Sequence, residues 1–261
     1  MKKYFMMSLM ALVAMTMMSC SSVHFAENNG ADKTPSQVHA VNQVTTMSSF
    51  DEVEIAGGYK VVYEQGTEHS VRIEANEQAF NEMTVYVKDR ELRIRKSVSK
   101  PTEPQKNVKV YVTSPVLKAI DLAGSGMFAA TKLINVSNDL DIDLAGSGQV
   151  LLTAVTCHES DLDIAGSGNI EIGQFKVNDV KADIAGSGNI NLGTLVCNEL
   201  NIDIAGSGDV NCDNINAVEV RSEIAGSGDV NLKGRIQNLR KDIAGSGRVN
   251  YTETTASDTI Q

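Results

Sequence analysis

The sequence predicts an all-β fold: a right-handed parallel β-helix with rungs of about 20 residues and an irregular N-terminal β cap. Two observations carry that prediction. The phrase Asp-Ile-Ala-Gly-Ser-Gly recurs seven times between Asp121 and Gly247, varied only by Leu for Ile and Glu for Asp. Its first residues are Asp121, Asp143, Asp163, Asp183, Asp203, Glu223 and Asp242, spaced 22, 20, 20, 20, 20 and 19 residues apart. Around each phrase, apolar and polar residues alternate with a period of two, as in strands buried on one face. A fixed period of this length without a helical pattern marks a solenoid of stacked rungs.

The chain opens with Met1-Lys2-Lys3, an apolar run from Tyr4 to Met18, and Ser19-Cys20. A basic start and a short apolar stretch ending at small residues describe a secretory signal over 1–19, and the run is short for a membrane span. Met17-Met18-Ser19-Cys20 resembles a bacterial lipobox, which makes Cys20 the lipidated first residue of the mature chain and the membrane its anchor. Residues 20–49, rich in Ser, Thr, Asn, Gln and Ala, read as a flexible tether with a reach of roughly 30 Å. Signal removal takes the basic residues from 23 to 21 against 33 acidic ones, a balance that argues against nucleic acid as a partner.

Residues 50–120 read as a strand-and-turn region that caps one end of the array. Val53 and Ile55, Val71 and Ile73, Val85 and Val87, Leu92 and Ile94, and Val108, Val110 and Val112 each alternate with polar or charged neighbours. Asp89 marks a turn, Pro101 and Pro104 a loop, and Glu54-Ile55-Ala56-Gly57-Gly58 is a worn copy of the repeated phrase. Such a cap is needed because an uncovered end exposes unpaired backbone groups.

The array itself runs from 121 to 251, with 252–261 expected to be a disordered tail. The residue after each acidic position is Leu or Ile and the one before is mostly apolar, with Ser222 and Lys241 in the last two rungs, so the acidic residue points outward between two inward ones. Two further alternations follow, as at Ile190 and Leu192 and then Leu195 and Cys197, which makes three short strands per coil. The Gly-Ser-Gly corner lets adjacent rungs approach closely; 14 of the 21 glycines lie in these corners. The spaced leucines of leucine-rich repeats and the nine-residue period of calcium-binding rolls are both absent. Cys157 and Cys197 share a column two rungs apart, about 9.6 Å at the spacing of paired strands, and Cys212 lies in another column. Three buried free thiols are expected.

Gly-Ser-Gly-Asn-Ile at 166–170 and again at 186–190, the surrounding repeats and the alternating N-terminal strands resemble the head GIN domain family of auto-transporter adhesin type, over roughly 48–251. The resemblance implies a right-handed β-helix in an envelope protein, commonly of Bacteroidota. Acidic residues after the acylated cysteine, a frequent surface-export signal in that group, are missing from Ser21-Ser22-Val23-His24. The outer membrane is the expected location, with its face left open.

Stacking places Asp121, Asp143, Asp163, Asp183, Asp203, Glu223 and Asp242 in one file, where neighbours repel by roughly 0.9 kcal/mol in water. Three arrangements can offset this: hydrogen bonds from the backbone N–H groups or serine hydroxyl of each corner, a bound cation such as calcium, or a sugar ligand. Outward Asn169, Asn189, Asp209 and Asp229, with Asn191, Asn211 and Asn231, can hydrogen-bond sugars or one another. No catalytic residues are assigned, because Lys176, Lys181, Arg221, Lys233, Arg235, Arg240, Lys241 and Arg248 are read as forming no column, and His158 lies away from the Asp163 and Ser167 corner. The expected function is that of a non-enzymatic envelope lipoprotein binding a glycan or an envelope protein. A β-helix polysaccharide lyase or hydrolase is the alternative.

Overall fold

The structure, a computed structural model, describes residues 42–97 and 108–254. The signal, Cys20, the Pro101 and Pro104 loop and residues 255–261 lie outside the described residues. The described chain is an 18-stranded sheet wound into a parallel β-solenoid of about seven turns.

In chain order the cap comprises β1 (Val44–Thr46), β2 (Glu52–Gly57), β3 (Lys60–Gln65), β4 (Ser70–Glu74), α1 (Glu77–Asn81), β5 (Met83–Lys88), β6 (Glu91–Lys96) and β7 (Lys109–Ser114). The array continues with β8 (Ala119–Gly124), β9 (Met127–Asn135), β10 (Asp141–Gly146), β11 (Gln149–Thr156), β12 (Glu159–Gly166), β13 (Asn169–Lys176) and β14 (Asp179–Gly186). It ends with β15 (Asn189–Gly206), β16 (Asp209–Gly226), β17 (Asp229–Gly245) and β18 (Arg248–Glu253).

The three strands expected per coil appear as three runs of pairing. Between β15 and β16 they cover 189–192, 194–197 and 199–206, interrupted at 193, at 198 and at the corner. Inward side chains of that rung, Ile190, Leu192, Leu195, Cys197, Leu200, Ile202 and Ile204, are at most 6% exposed. Burying each aliphatic one contributes about 1.5–3 kcal/mol, and only the stack of rungs makes that burial possible. Cys157, Cys197 and Cys212 are free and buried in this core, their thiols pushed up to about 12, 12 and 11 chiefly by desolvation.

The uneven spacings have local causes. The offset between β9 and β11 falls from 22 at Ala130 and Leu152 to 21 at Leu133 and Ala154, and it is 20 by Ile142 and Leu162. The long first period therefore takes up one extra residue in a bulge of β9 and the other in the connection between β9 and β10. In the last, 19-residue period the lost residue is absorbed opposite Ile215 by Gly234, whose φ is +136°.

The cap departs from a simple run of first turns. β2 pairs in parallel with β8 on one side and with β6 on the other, and β3 likewise lies between β9 and β7. The worn phrase is thus a true rung, with Glu54 beside Asp121 and Gly57 beside Gly124, while the later β6 and β7 lie outside it. Antiparallel β5 covers β6, antiparallel β4 covers β7, and β1 pairs with β4. The turn at Asp89 is real: Asp89 and Arg90 both have positive φ, as a two-residue hairpin between β5 and β6 requires. The short helix α1 is a correction to the all-strand expectation, and Asn76 caps it by accepting from the Ala79 N–H at 2.7 Å.

Two boundaries also move. Residues 44–46 already pair as β1 and Met47 is buried, so the fold starts inside the stretch expected to be tether. β18 runs through Glu253, two residues into the expected tail.

Corner glycines are where the stack is tightest. Gly186 has φ +135°, and a Cβ there would stand 2.3 Å from the carbonyl oxygen of Gly166. Gly186→Val is expected to cost several kcal/mol through strain and backbone collision. Ser187→Ala, which removes an exposed side chain from the same corner, should stay within about 0.5 kcal/mol of wild type. Denaturant unfolding of the two variants measures the difference, and equal midpoints would contradict the tight stacking.

Candidate functional site

The acidic residue of each phrase lies between two inward side chains, so its own side chain must point out of the solenoid. Parallel pairing that is in register across every phrase then brings all seven together in one column: Asp121, Asp143, Asp163, Asp183, Asp203, Glu223 and Asp242. Glu54 and Arg93 extend it into the cap. Asp121, Asp143, Asp163 and Asp183 are half-buried, whereas Asp203, Glu223 and Asp242 are exposed.

The hydrogen bonds expected from the corners are not formed, and the reason is backbone geometry. From Ser147 to Ser246 each corner serine N–H donates instead to a glycine carbonyl of the preceding rung, as from Ser167 to Gly146, Ser187 to Gly166 and Ser207 to Gly186, all at 2.8 Å. The inter-rung ladder consumes these donors. Asp163 Oδ1 and Asp183 Oδ1 are consequently buried without a hydrogen-bond partner. Desolvation, reinforced by neighbouring carboxylates, pushes Asp121 up to about 8 and Asp163 up to about 7. Desolvation also raises Asp143 and Asp183, opposed at Asp143 by hydrogen bonding with Asp121 and Asp163 and at Asp183 by Lys181. Near neutral pH Asp121 and, in part, Asp163 therefore carry protons, which relieve the repulsion by letting one carboxyl donate to the next.

Within the array Lys181 supplies further relief at Asp183, and on the basic residues the sequence reading needs correction. Lys181, Arg221 and Arg240 do share a column, with Asn201 between the first two, because each stands two residues before its rung's acidic position. The constant offset from the phrase was the available signal. Lys181 pairs with Asp183; Arg221 reaches Glu199 at 2.8 Å and Glu219 at 3.0 Å; Arg240 reaches Glu219 at 3.6 Å. In the cap, Glu54 pairs with Arg95 and Arg93, and Arg93 with Glu91. Burial alone would raise the 3%-exposed Asp51, but ion pairs with Lys118 and Arg90 hold it below its ordinary value.

The amide columns satisfy one another along the stack. Asn250 donates to Asn231, Asn231 to Asn211 and Asn211 to Asn191, at 2.8–2.9 Å. Asn189 donates to Asn169 at 3.0 Å, and the N–H groups of Asp209 and Asp229 donate to the side chains of Asn189 and Asp209. His158 is exposed, near Asp139 and Glu159 rather than Asp163 or Ser167. Among the described residues no three His, Cys, Asp or Glu side chains converge to hold a metal ion; the acidic column runs in file instead.

Shared protons make stability depend on pH. Because the folded-state values of Asp121, Asp143, Asp163 and Asp183 lie above their ordinary 3.8, their contribution is fully present below that value. It is lost as pH rises through the folded-state values. The unfolding midpoint should fall from about pH 5 to about pH 9, and Asp163→Asn should flatten the slope and stabilise by roughly 1 kcal/mol at the alkaline end. EDTA should leave the midpoint unchanged. A flat pH profile, or a calcium-dependent rise that Asp163→Asn abolishes, would overturn proton sharing.

A putative adhesin from Bacteroides fragilis superposes with a TM-score of 0.71 at 21% identity, covering 80% of this chain and 95% of its own. A putative adhesin from Parabacteroides distasonis gives 0.69 at 21%, with the same coverage. A protein from the same species described as a putative lipid binding protein gives 0.63 at 24%, covering 84% and 97%. At these identities the likeness concerns the fold. No curated protein matches the chain. The family described as "Putative auto-transporter adhesin, head GIN domain" matches residues 49–213 and 197–260, and the chain belongs to that family.

Proposed function

We propose that this chain is a non-enzymatic lipoprotein of the cell envelope, anchored in the outer membrane through lipid on Cys20, whose solenoid is a binding or adhesion domain for a glycan or an envelope protein. The amide ladder carries this reading. Catalytic sites hold polar groups that converge and are left free for a substrate, whereas here outward amides are spent on one another from rung to rung. What remains is a rigid lattice of exposed hydroxyl, amide and carboxyl groups at one repeat per rung. Such a surface is suited to many weak contacts with an extended partner. The exposed serine column from Ser125 to Ser246 is its most regular part. The family description as an adhesin supports binding over turnover, and the acidic balance of the chain disfavours nucleic acid.

The test is a glycan array run alongside a reducing-end assay on the bound polymers, with membrane fractionation of wild type and Cys20→Ala. Saturable binding without new reducing ends, and loss of Cys20→Ala from the membrane fraction, are the expected results. New reducing ends that accumulate with turnover would establish an enzyme instead. Retention of Cys20→Ala on membranes, in protein shown to lose its signal, would remove the lipid anchor.

A further inference from the structure

The two ends of the solenoid are built differently. Antiparallel β1, β4 and β5 cover the cap end, whereas at the other end β18 pairs only with 229–234 of β17. The Tyr251 hydroxyl covers the next step, accepting from the Ile236 N–H at 3.1 Å and donating to the Gly234 carbonyl at 3.2 Å. Beyond it, residues 238–245 pair with β16 on one edge, and no described strand covers the other. The inward side chains along that stretch are Leu239, Lys241 and Ile243. Ile243 is 38% exposed, against 2% for Ile224 one rung below. Lys241 occupies the inward position held by Ile202 and Ser222 in earlier rungs, above the Ser222 hydroxyl, which has no partner. Its ammonium donates to the Val249 carbonyl at 3.2 Å.

Charge narrows what can cover this edge. The last rung and β18 carry Lys233, Arg235, Arg240, Lys241 and Arg248 against Asp229, Asp242 and Glu253, a basic end on an acidic chain. A second copy could add antiparallel about a two-fold axis, with Arg240 opposite Asp242 and Leu239 opposite Ile243. That register places the two inward Lys241 ammonium groups directly against each other, and like charges facing across a pair destabilise it. Shifting it by one step sets Arg240 against Arg240 or Asp242 against Asp242. The inward lysine thus guards the edge against self-association, as inward charges do on other open sheets.

We propose that residues 238–245 accept a strand from a partner protein, an extended segment in which an acidic residue is flanked, two positions to either side, by apolar residues. The apolar pair would cover Leu239 and Ile243, and the carboxylate would meet Lys241. Backbone pairing supplies the attachment and these three side chains the selectivity, as in other strand additions to open edges. This surface is the end of the solenoid, separate from the lateral faces of the proposed binding domain.

The test titrates the mature chain with the capped peptide Thr-Val-Thr-Glu-Thr-Val-Thr and with its Glu-to-Lys counterpart, following amide hydrogen exchange. The acidic peptide should slow exchange within 238–245 and bind about tenfold tighter than the basic one. Lys241→Glu should reverse that preference, and Lys241→Met, the milder change, should abolish it while the fold persists. Protection by neither peptide, or equal protection by both, would overturn the proposal. So would protection already complete without peptide: if independent of protein concentration it means cover by the chain's own C-terminal residues, and if it rises with concentration, cover by a second copy.

Discussion

The hydrogen bond from each corner serine N–H to the glycine carbonyl of the rung before it sets the register for the rest of the solenoid. It runs at 2.8–2.9 Å from Ser147 through Ser246 and holds successive backbones so close that no side chain fits between them. The approach tightens along the array: a Cβ would stand 2.5 Å from the carbonyl oxygen below at Gly146, 2.3 Å at Gly186 and 2.0 Å at Gly226. Glycine is required here both for its positive φ and for the missing Cβ. With the corners locked, one register remains for every strand, and each inward residue must land on the inward residue of the next rung.

That same register creates the chief electrostatic problem of the molecule. A column of like charges is the unavoidable result of repeating an acidic residue in a solenoid with fixed pairing, and the corner bonds take away the donors that could have neutralised it. The chain responds in three ways along its length. Asp121 and Asp163 hold protons in a half-buried setting, Lys181 lends positive charge to Asp183, and Asp203, Glu223 and Asp242 remain in water where screening is strong. Amides one face away meet the same constraint without conflict, because each can donate to the rung below and accept from the rung above.

The array was legible because its register is written into the period. Even its irregularities, the 22- and 19-residue spacings, map onto the bulge in β9, the connection from β9 to β10, and Gly234. The worn phrase at Glu54 correctly announced a rung. What could not be read was the order of the cap: nothing in the alternation of Leu92 and Ile94 says that β6 pairs with β2 rather than with β8, since that choice rests on contacts distant in sequence. The protonation of the acidic column was equally hidden. It depends on where the Ser167 and Ser187 N–H groups point, a matter of three-dimensional corner geometry. The basic column of Lys181, Arg221 and Arg240 was present in the spacing and needed only alignment on the acidic residue.

A Gly-Ser-Gly triplet read alone suggests a flexible linker with fast-exchanging amides, whereas the stacked corners make it the most constrained part of each rung. Native-state hydrogen exchange at the amides of Ser167, Ser187 and Ser207 separates the two directly. Exchange only through global unfolding, as slow as that of the core amides of Ile184 and Ile204, is the predicted result. Exchange at the rate of an exposed loop, under conditions in which the core amides stay protected, would contradict the central role of the corner bond.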